Sequence, residues 1–315
     1  MKIVFMGTPE FAIPSLSRLR DSEHEIVGVY TRRPSRKNRG QKLCYSPVYD
    51  VAMASNIRIF TPGTFKNGKN LDDLRALEPD LVVVVAFGLI LPRELLKIPK
   101  YGCLNVHPSL LPRWRGCAPI ERCLMSDDEE TGVCIMNIDE NLDGGEIISM
   151  IRVKIEKNTD VRSLRRDLAI AGAEMLEDVV DKLQKTGKIS FARQDDQLAT
   201  FAPKIGPFDG IVDWQNDGVA KIHRKIMALN DSFGVTILHR DIKLKLIKSD
   251  YILTENSENA GKILDNQFSL GCKDGILKIL EIQRTGKKPL AIGDFINGYQ
   301  FNIGDTVSCV IHSSQ

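Results

Sequence analysis

The 315-residue chain has no Cys-x-x-Cys pair, no Gly-x-Gly-x-x-Gly fingerprint and little net charge. No apolar run approaches the ~20 residues of a membrane span. Each absence closes off a class. The seven cysteines, Cys44, Cys103, Cys117, Cys123, Cys134, Cys272 and Cys309, are scattered and odd in number. They build neither a disulfide framework nor a thiolate metal cluster, and a reduced cytoplasmic protein is expected. The missing glycine fingerprint argues against a dinucleotide-dependent dehydrogenase. The first strand instead ends in Gly7-Thr8-Pro9-Glu10-Phe11, and Thr31-Arg32-Arg33 stands where an acid would hold a ribose. A formal charge of +2 excludes a protein that binds polyanions over its whole surface, so any nucleic-acid affinity has to come from a local cluster. The amino-terminal run Met-Lys-Ile-Val-Phe-Met-Gly is too short for a signal peptide. No internal repeat or low-complexity tract is visible.

What is present predicts a two-domain chain, and 43% hydrophobic residues let each part bury a core. Residues 2–6 read as a short apolar strand, with a helix following around Phe11, Leu16 and Leu19. Residues 26–30, 80–86 and 102–106 read as further strands. The four consecutive valines at 82–85 mark a strand buried on both faces. Strands alternating with helices predict a mostly parallel sheet with right-handed crossovers. Residues 133–138 and 146–153 add two strands around the turn Asn141-Leu142-Asp143-Gly144-Gly145. A helix is expected over 160–187, with one apolar face (Leu164, Leu168, Met175, Val179, Leu183), Thr159 or Asp160 as cap and Gly187 as stop. From about residue 205 the texture changes to short alternating runs with close turns, the pattern of a small antiparallel barrel or sandwich. The expected division is a catalytic domain at 1–190, a linker at 191–206 and a barrel at 207–315.

The most informative stretch is Asn105-Val106-His107-Pro108-Ser109-Leu110-Leu111-Pro112-Arg113-Trp114-Arg115-Gly116. Asn105 and His107 stand two apart at the end of a strand, so both side chains point into the same space. A lone histidine is commonly a satisfied structural residue. The carboxamide beside it, and Asp143 on a glycine-flanked turn, favour chemistry: Asn and imidazole donate to a developing oxyanion, and Asp fixes the imidazole. No nucleophile accompanies them. Ser109 has no base of its own, and Cys103 is expected on the opposite face from Asn105. A direct transfer without a covalent enzyme intermediate follows, and no metal is expected, since no second His or Cys lies at ligand spacing.

Three other segments carry two readings each. Gly7-Thr8-Pro9-Glu10 reads first as a tight strand-to-helix turn and second as a phosphate cradle. Residues 31–49 hold Arg32, Arg33, Arg36, Lys37, Arg39 and Lys42 and no acid. Such a run is ordinarily a solvated loop; its position after a sheet strand favours the second reading, a nucleic-acid contact, and Pro34 and Gly40 predict an extended, mobile segment. Phe87-Gly88-Leu89-Ile90-Leu91-Pro92 is either a simple strand exit or an apolar loop offering its backbone to a flat heterocycle.

At these residues the chain resembles the folate-dependent formyltransferases, and among them those that act on methionyl-tRNA. The likeness runs over nearly the whole length and includes residues 5–12, 85–92, 105–116 and 142–145. It implies an α/β catalytic domain with a Rossmann-like sheet and a carboxy-terminal small β-barrel resembling an OB-fold. It implies Asn105, His107 and Asp143 as the catalytic trio. Phe87, Gly88, Leu89 and Ile90 would wall the pterin pocket, and Ser109, Leu110, Leu111 and Pro112 would contact 10-formyl-tetrahydrofolate, the implied cosubstrate. Initiator methionyl-tRNA is the implied partner, met by Arg32, Arg33, Arg36, Lys37, Arg39 and Lys42, with Arg39 in the place of the key arginine. Lys204 and the lysines at 243, 245 and 248 would line its path. A cytoplasmic monomer without membrane attachment is expected. The chain departs from the family at Asn38 and Gln41, where a glycine and a lysine are common, and over 227–235, which lacks the usual Pro-x-Pro.

Rival readings are separated by the same features. A formyltransferase acting on an amino sugar nucleotide would share the trio but has no use for the basic 32–42 segment. A glycinamide ribonucleotide formyltransferase would not need the tail past 205. A non-catalytic tRNA-binding protein would explain the basic segment and the barrel but not the trio.

Overall fold

In a computed structural model, residues 1–37, 42–66, 68–254 and 259–310 are described, with backbone only for Arg36, Lys37 and Lys42. The chain forms two compact units. One comprises Met1–Pro119, Glu130–Lys154 and Arg165–Ala202, the other Ile120–Glu129, Ile155–Leu164 and Pro203–Gln315. Two short stretches of the first 190 residues are thus grouped with the carboxy-terminal unit.

The first unit is built on a seven-stranded sheet. In spatial order its strands are Ile147–Lys154, Glu130–Asn137, Cys103–His107, Leu81–Val85, Lys2–Gly7, Glu25–Tyr30 and Ile59–Phe60. The five from Cys103–His107 onward are parallel, while Glu130–Asn137 runs antiparallel to both of its neighbours, Cys103–His107 and Ile147–Lys154. The valine strand is buried at every position, as a strand covered on both faces must be. The chain starts at Lys2–Gly7, builds outward to Ile59–Phe60, then returns to place Leu81–Val85 and Cys103–His107 on the other side. In open sheets with such a reversal, ligands bind at the carboxyl ends of the strands beside it. Gly7 belongs to close packing there: a Cβ would meet Ala12 Cβ at 2.9 Å and the Val85 carbonyl at 3.1 Å. This agrees with the reading of Gly7-Thr8-Pro9-Glu10 as a strand-to-helix turn.

The long helix runs Val161–Thr186. Asp160 caps it by accepting from the Ser163 backbone N–H at 2.8 Å. Gly187, at φ 65°, ends it in the left-handed conformation that glycine adopts without cost. The apolar face anticipated there is buried at Leu164, Leu168, Val179 and Leu183.

The described parts of the basic segment are extended, as expected, and in addition they are paired. Ser35–Lys37 and Lys42–Cys44 pair antiparallel, Ser35 opposite Cys44 and Lys37 opposite Lys42, as the stem of a hairpin. The buried Thr31 hydroxyl and the Ser46 hydroxyl, 2.6 Å apart, close its base. Ser46 also caps the helix Pro47–Ala54 through the Tyr49 N–H.

The second unit holds an antiparallel sheet ordered Leu270–Cys272, Gly275–Arg284, Ile242–Leu253, Val235–His239 and Ser308–Cys309, with Leu290–Ala291 beside Gly275–Arg284. Irregular pairing near Leu246–Ser249 bends the long strand. Single bridges join residues 260–263 to Leu270–Gly271 on one side and to Thr306 on the other, completing a circuit of paired backbone. Closure removes exposed sheet edges. Ile222, Ile226, Leu244, Phe268, Leu277 and Ile282 fill its core. The polar His239 inside is satisfied at both ring nitrogens, by Tyr299 Oη at 2.7 Å and Asp305 Oδ2 at 3.0 Å. The segment lacking Pro-x-Pro is the end of the helix Val219–Leu229 and the turn into Val235–His239. No helix among the described residues is long and apolar enough to cross a membrane.

Candidate active site

The strand Cys103–His107 pairs with Leu81–Val85 on one side and Glu130–Asn137 on the other, with Asn105 between Val84 and Met136 and His107 opposite Cys134. Register thus fixes the faces of both residues. Asn105 is partly open to solvent and His107 is buried. The expectation that Cys103 faces away from Asn105 fails, because residues two apart share a face. Cys103 packs among Val82, Val84 and Phe87 on that side. Burial pushes its thiol up to about 12, and that of Cys134 likewise, so neither supplies a thiolate near neutrality.

Both His107 ring nitrogens meet oxygen. Nε2 lies 3.0 Å from the Trp114 carbonyl, and Nδ1 lies 3.7 Å from Asp143 Oδ2. A carbonyl only accepts, so Nε2 donates to it. The Asp143 carboxylate also only accepts, and the pairing is complete when Nδ1 carries a proton as well. The 3.7 Å gap is longer than a hydrogen bond.

Two residues reach this geometry through left-handed backbone. Trp114 has φ 65° and Asp143 φ 47°. A bulky residue in that region is held there at roughly 1–3 kcal/mol, and such strain gathers at functional sites. The Trp114 N–H donates to Thr200 Oγ1 at 2.9 Å, and the Arg113 guanidinium lies 4.4 Å from the indole centroid. Asp143 Oδ2 accepts the Gly116 N–H at 2.8 Å. Behind it, Gly145 admits no side chain, since a Cβ would sit 1.9 Å from the Asn137 carbonyl oxygen.

The other expected site residues are placed as follows. Phe87 is buried against Phe65, with ring centroids 6.2 Å apart. Its carbonyl accepts the Thr8 hydroxyl at 2.8 Å. Gly88 is exposed at φ 82° and Leu89 is half-buried, while Ile90 is 92% exposed. The Ser109 hydroxyl is buried and donates to the Arg113 carbonyl at 2.7 Å. Leu110 lies against Gly132, Leu111 packs with Cys134 and Met136, and the Pro112 carbonyl accepts from the Thr200 N–H.

Arg32 Nη1 donates to the Gly88 carbonyl at 2.9 Å, tying the base of the basic hairpin to the 87–90 loop. Arg33 Nε donates to the Thr61 carbonyl at 3.2 Å. Arg36, Lys37 and Lys42 stand on the hairpin stem. Arg39 lies outside the described residues, as do Asn38 and Gln41. Lys204 is exposed in the second unit. Among the described residues no three His, Cys, Asp or Glu side chains gather as a metal site requires.

Several groups at the site had no signal in the sequence. The Trp114 carbonyl and the Gly116 N–H act through backbone geometry, and Thr200 accepts with its hydroxyl from a residue far away in sequence. Gln194 lies in a stretch read as linker. Arg115 stood within the Arg-Trp-Arg-Gly run, where its burial at 6% exposure could be suspected only from its setting among apolar neighbours.

Comparison with known proteins extends these findings. Residues 1–180 match the family described as formyl transferase, and residues 204–300 match the formyl transferase carboxy-terminal domain. A methionyl-tRNA formyltransferase of Pelagibacter ubique is 40% identical over 311 residues, covering 98% of this chain and 99% of that protein. One from Carboxydothermus hydrogenoformans is 40% identical over 313 residues, covering 98% and 100%. Among solved structures, WlaRD, a sugar 3N-formyl transferase crystallised with dTDP and 5-N-formyl-THF, aligns with TM-score 0.66 at 20% identity over 91% of this chain and 99% of that one. HypX from Aquifex aeolicus, in complex with tetrahydrofolic acid, aligns with TM-score 0.62 at 16% identity over 97% of this chain, which spans 50% of that protein. At such identities the structural likeness shows the fold alone. The family matches and the full-length relatives together show membership: the chain belongs to the formyl transferase family.

Proposed function

We propose that this formyl transferase moves a formyl group from 10-formyl-tetrahydrofolate to the α-amino group of methionine esterified to initiator tRNA. The observation that carries the chemistry is the setting of His107 between two acceptors, the Trp114 carbonyl and the Asp143 carboxylate, on the strand that bears Asn105 two positions earlier. Likeness over nearly the full length to proteins named for methionyl-tRNA supports the acceptor.

In this reading the neutral amine attacks the formyl carbon, and the carbonyl electron pair moves onto oxygen. The Asn105 amide donates to that oxygen, and protonated His107 does the same by turning its Nε2–H from the Trp114 carbonyl to the oxyanion; one such donor is worth about 3–4 kcal/mol of transition-state stabilisation. Collapse breaks the bond from the formyl carbon to folate N10. The proton lost by the amine passes to N10 through the His107–Asp143 pair. The products are formylated methionyl-tRNA and tetrahydrofolate. Direct transfer is supported by the state of the nearby nucleophiles. The Cys103 and Cys134 thiols are pushed up by burial, and the Ser109 hydroxyl is committed to a carbonyl.

The donor would lie along Phe87, Gly88, Leu89 and Ile90 and along Ser109, Leu110, Leu111 and Pro112. Of these, Gly88 and Ile90 offer the most open surface. Arg32, Arg33, Arg36, Lys37, Arg39 and Lys42 would meet the tRNA, with Lys204 a further contact. Residues 1–190 would supply catalysis and the 207–315 barrel would support the tRNA, in a cytoplasmic monomer. The deciding experiment offers methionyl-tRNA, free methionine and an amino sugar nucleotide as competing acceptors with 10-formyl-tetrahydrofolate. Formyl label is expected on methionyl-tRNA. Preferential label on the sugar nucleotide overturns the assignment.

A further inference from the structure

Segment 192–202, which has no regular periodicity, runs along the back of the site and is fastened to it twice. Ala192 and Ile147 exchange both backbone hydrogen bonds at 2.8 Å, and Phe201–Ala202 pairs in parallel with Arg115–Gly116. Between these points stands Gln194. Its Nε2 donates to the Asp143 carbonyl at 2.9 Å and to the Gly145 carbonyl at 2.7 Å. Its Oε1 accepts from Arg115 Nε at 3.1 Å and Nη2 at 2.9 Å. Arg115 Nη2 also bonds Asp196 Oδ1 at 2.7 Å. Both amide protons are used, and the oxygen takes two donors. Flipping the amide would set oxygen against two carbonyls and N–H against a guanidinium, so the contacts themselves fix its orientation.

This carboxamide bridges the two residues that flank Gly144 in the loop where Asp143 holds a left-handed φ of 47°. Arg115 is buried, and its charge fixes the carboxamide in turn. The same strand piece supplies the Gly116 N–H to Asp143 Oδ2. Backbone and carboxylate of Asp143 are therefore held from one direction by a single unit, Arg115–Gly116 with Gln194.

We propose that Gln194, oriented by Arg115, is a positioning residue for catalysis, which holds the 143–145 loop so that the Asp143 carboxylate faces His107. The proposal rests on the reading of Asp143 and His107 given above. Gln194 touches no reacting atom, and its effect passes through Asp143.

The test compares Gln194→Glu and Gln194→Ala with Asp143→Ala and the double variant Asp143→Ala/Gln194→Ala. Formyl transfer to methionyl-tRNA is measured at steady state and in single turnover with enzyme in excess, so that residual rates stay readable. Gln194→Glu keeps the acceptor for Arg115 and loses both donors to the loop. It is expected to fold, to melt a few degrees lower because an oxygen then faces two carbonyls, and to lose kcat by roughly 10- to 100-fold, since small misplacements of a catalytic group cost that much. The KM for tRNA should stay within about 2-fold, because the basic hairpin is untouched. In the Asp143→Ala background, Gln194→Ala should cost nothing further. Wild-type kcat in Gln194→Glu, or losses that multiply in the double variant, overturn the proposal. Wild-type kcat in Asp143→Ala would instead sink the underlying reading of the site, so the two failures are told apart by which variant stays active.

Discussion

Alanine at position 145 puts a methyl group where the backbone leaves no room, and the consequence for catalysis can be worked through. The new Cβ would lie 1.9 Å from the Asn137 carbonyl oxygen and 3.3 Å from Met136 Cε, whereas ordinary contact begins at 3.4 Å. The methionine can turn aside. The carbonyl cannot, because Asn137 ends a strand paired on both sides within the sheet. The loop therefore yields, by about 1.5 Å in a close-packed setting. Gly145 is two residues from Asp143 and is itself one of the two carbonyls that Gln194 holds. The displacement passes to a carboxylate now 3.7 Å from His107 Nδ1. Misplacement on this scale costs roughly 100-fold in rate. Overpacking of this kind also destabilises by about 1–3 kcal/mol, a few degrees in Tm for a domain of this size. Steady-state formylation of methionyl-tRNA, with a thermal melt by circular dichroism, reads both. Gly145→Ala should fold, melt a few degrees lower and lose kcat roughly 100-fold. A Cβ at Gly293 meets nothing within 4 Å, so Gly293→Ala serves as the control and should keep wild-type kcat. Wild-type kcat in a folded Gly145→Ala protein would refute the reasoning, because it would mean that the Asp143 loop moves freely without loss.

Other outcomes follow from the same structure. Asn105→Ala removes one proposed oxyanion donor and should lower kcat by roughly 100- to 1000-fold in the formylation assay. Near-normal turnover would remove Asn105 from the mechanism. Arg39→Ala should raise the KM for tRNA, leave folate affinity unchanged and reduce the slope of log affinity against log salt by about 1. A change confined to folate would refute the role given to the basic hairpin. His223 is buried, its Nε2 2.9 Å from the Lys157 carbonyl and its Nδ1 2.9 Å from Ser249 Oγ. Burial holds its pKa below the ordinary value of 6.5. As pH falls through that value the unfolded chain gains a proton that the folded one resists, so stability is lost from there down to the folded pKa. The Tm of His223→Gln should depend less on pH just below 6.5 than that of the wild type, and identical pH profiles would rule this contribution out.

How far the site could be read from sequence depended on whether a residue's partner lay within one element. The valine strand, the capped helix from Val161 and the shared face of Asn105 and His107 follow from periods of two and 3.6, which are local properties of the backbone. Asp143 was legible because its glycine-flanked turn is a local signal too. The face of Cys103 was equally legible, and the same period corrects it. Gln194 was not legible in this way. It sits 51 residues from Asp143, in a segment with no periodicity, and acts through a carboxamide that many surface positions also carry. Barrel closure was hidden for a related reason. It rests on single bridges at residues 260–263, too short to leave an alternating pattern. The basic segment shows the intermediate case: its charge was plain, but its hairpin stem depends on cross-strand pairing that six cations conceal, since like charges say nothing about register. The proposed catalytic groups are therefore marked by chemistry at short range, whereas the residues that hold them in place are marked only by where the fold returns. A brace such as Gln194 becomes visible once the strand piece Arg115–Gly116 is seen to carry both the N–H for Asp143 Oδ2 and the guanidinium that orients the carboxamide. One short segment then accounts for the orientation of the Asp143 backbone and its carboxylate together.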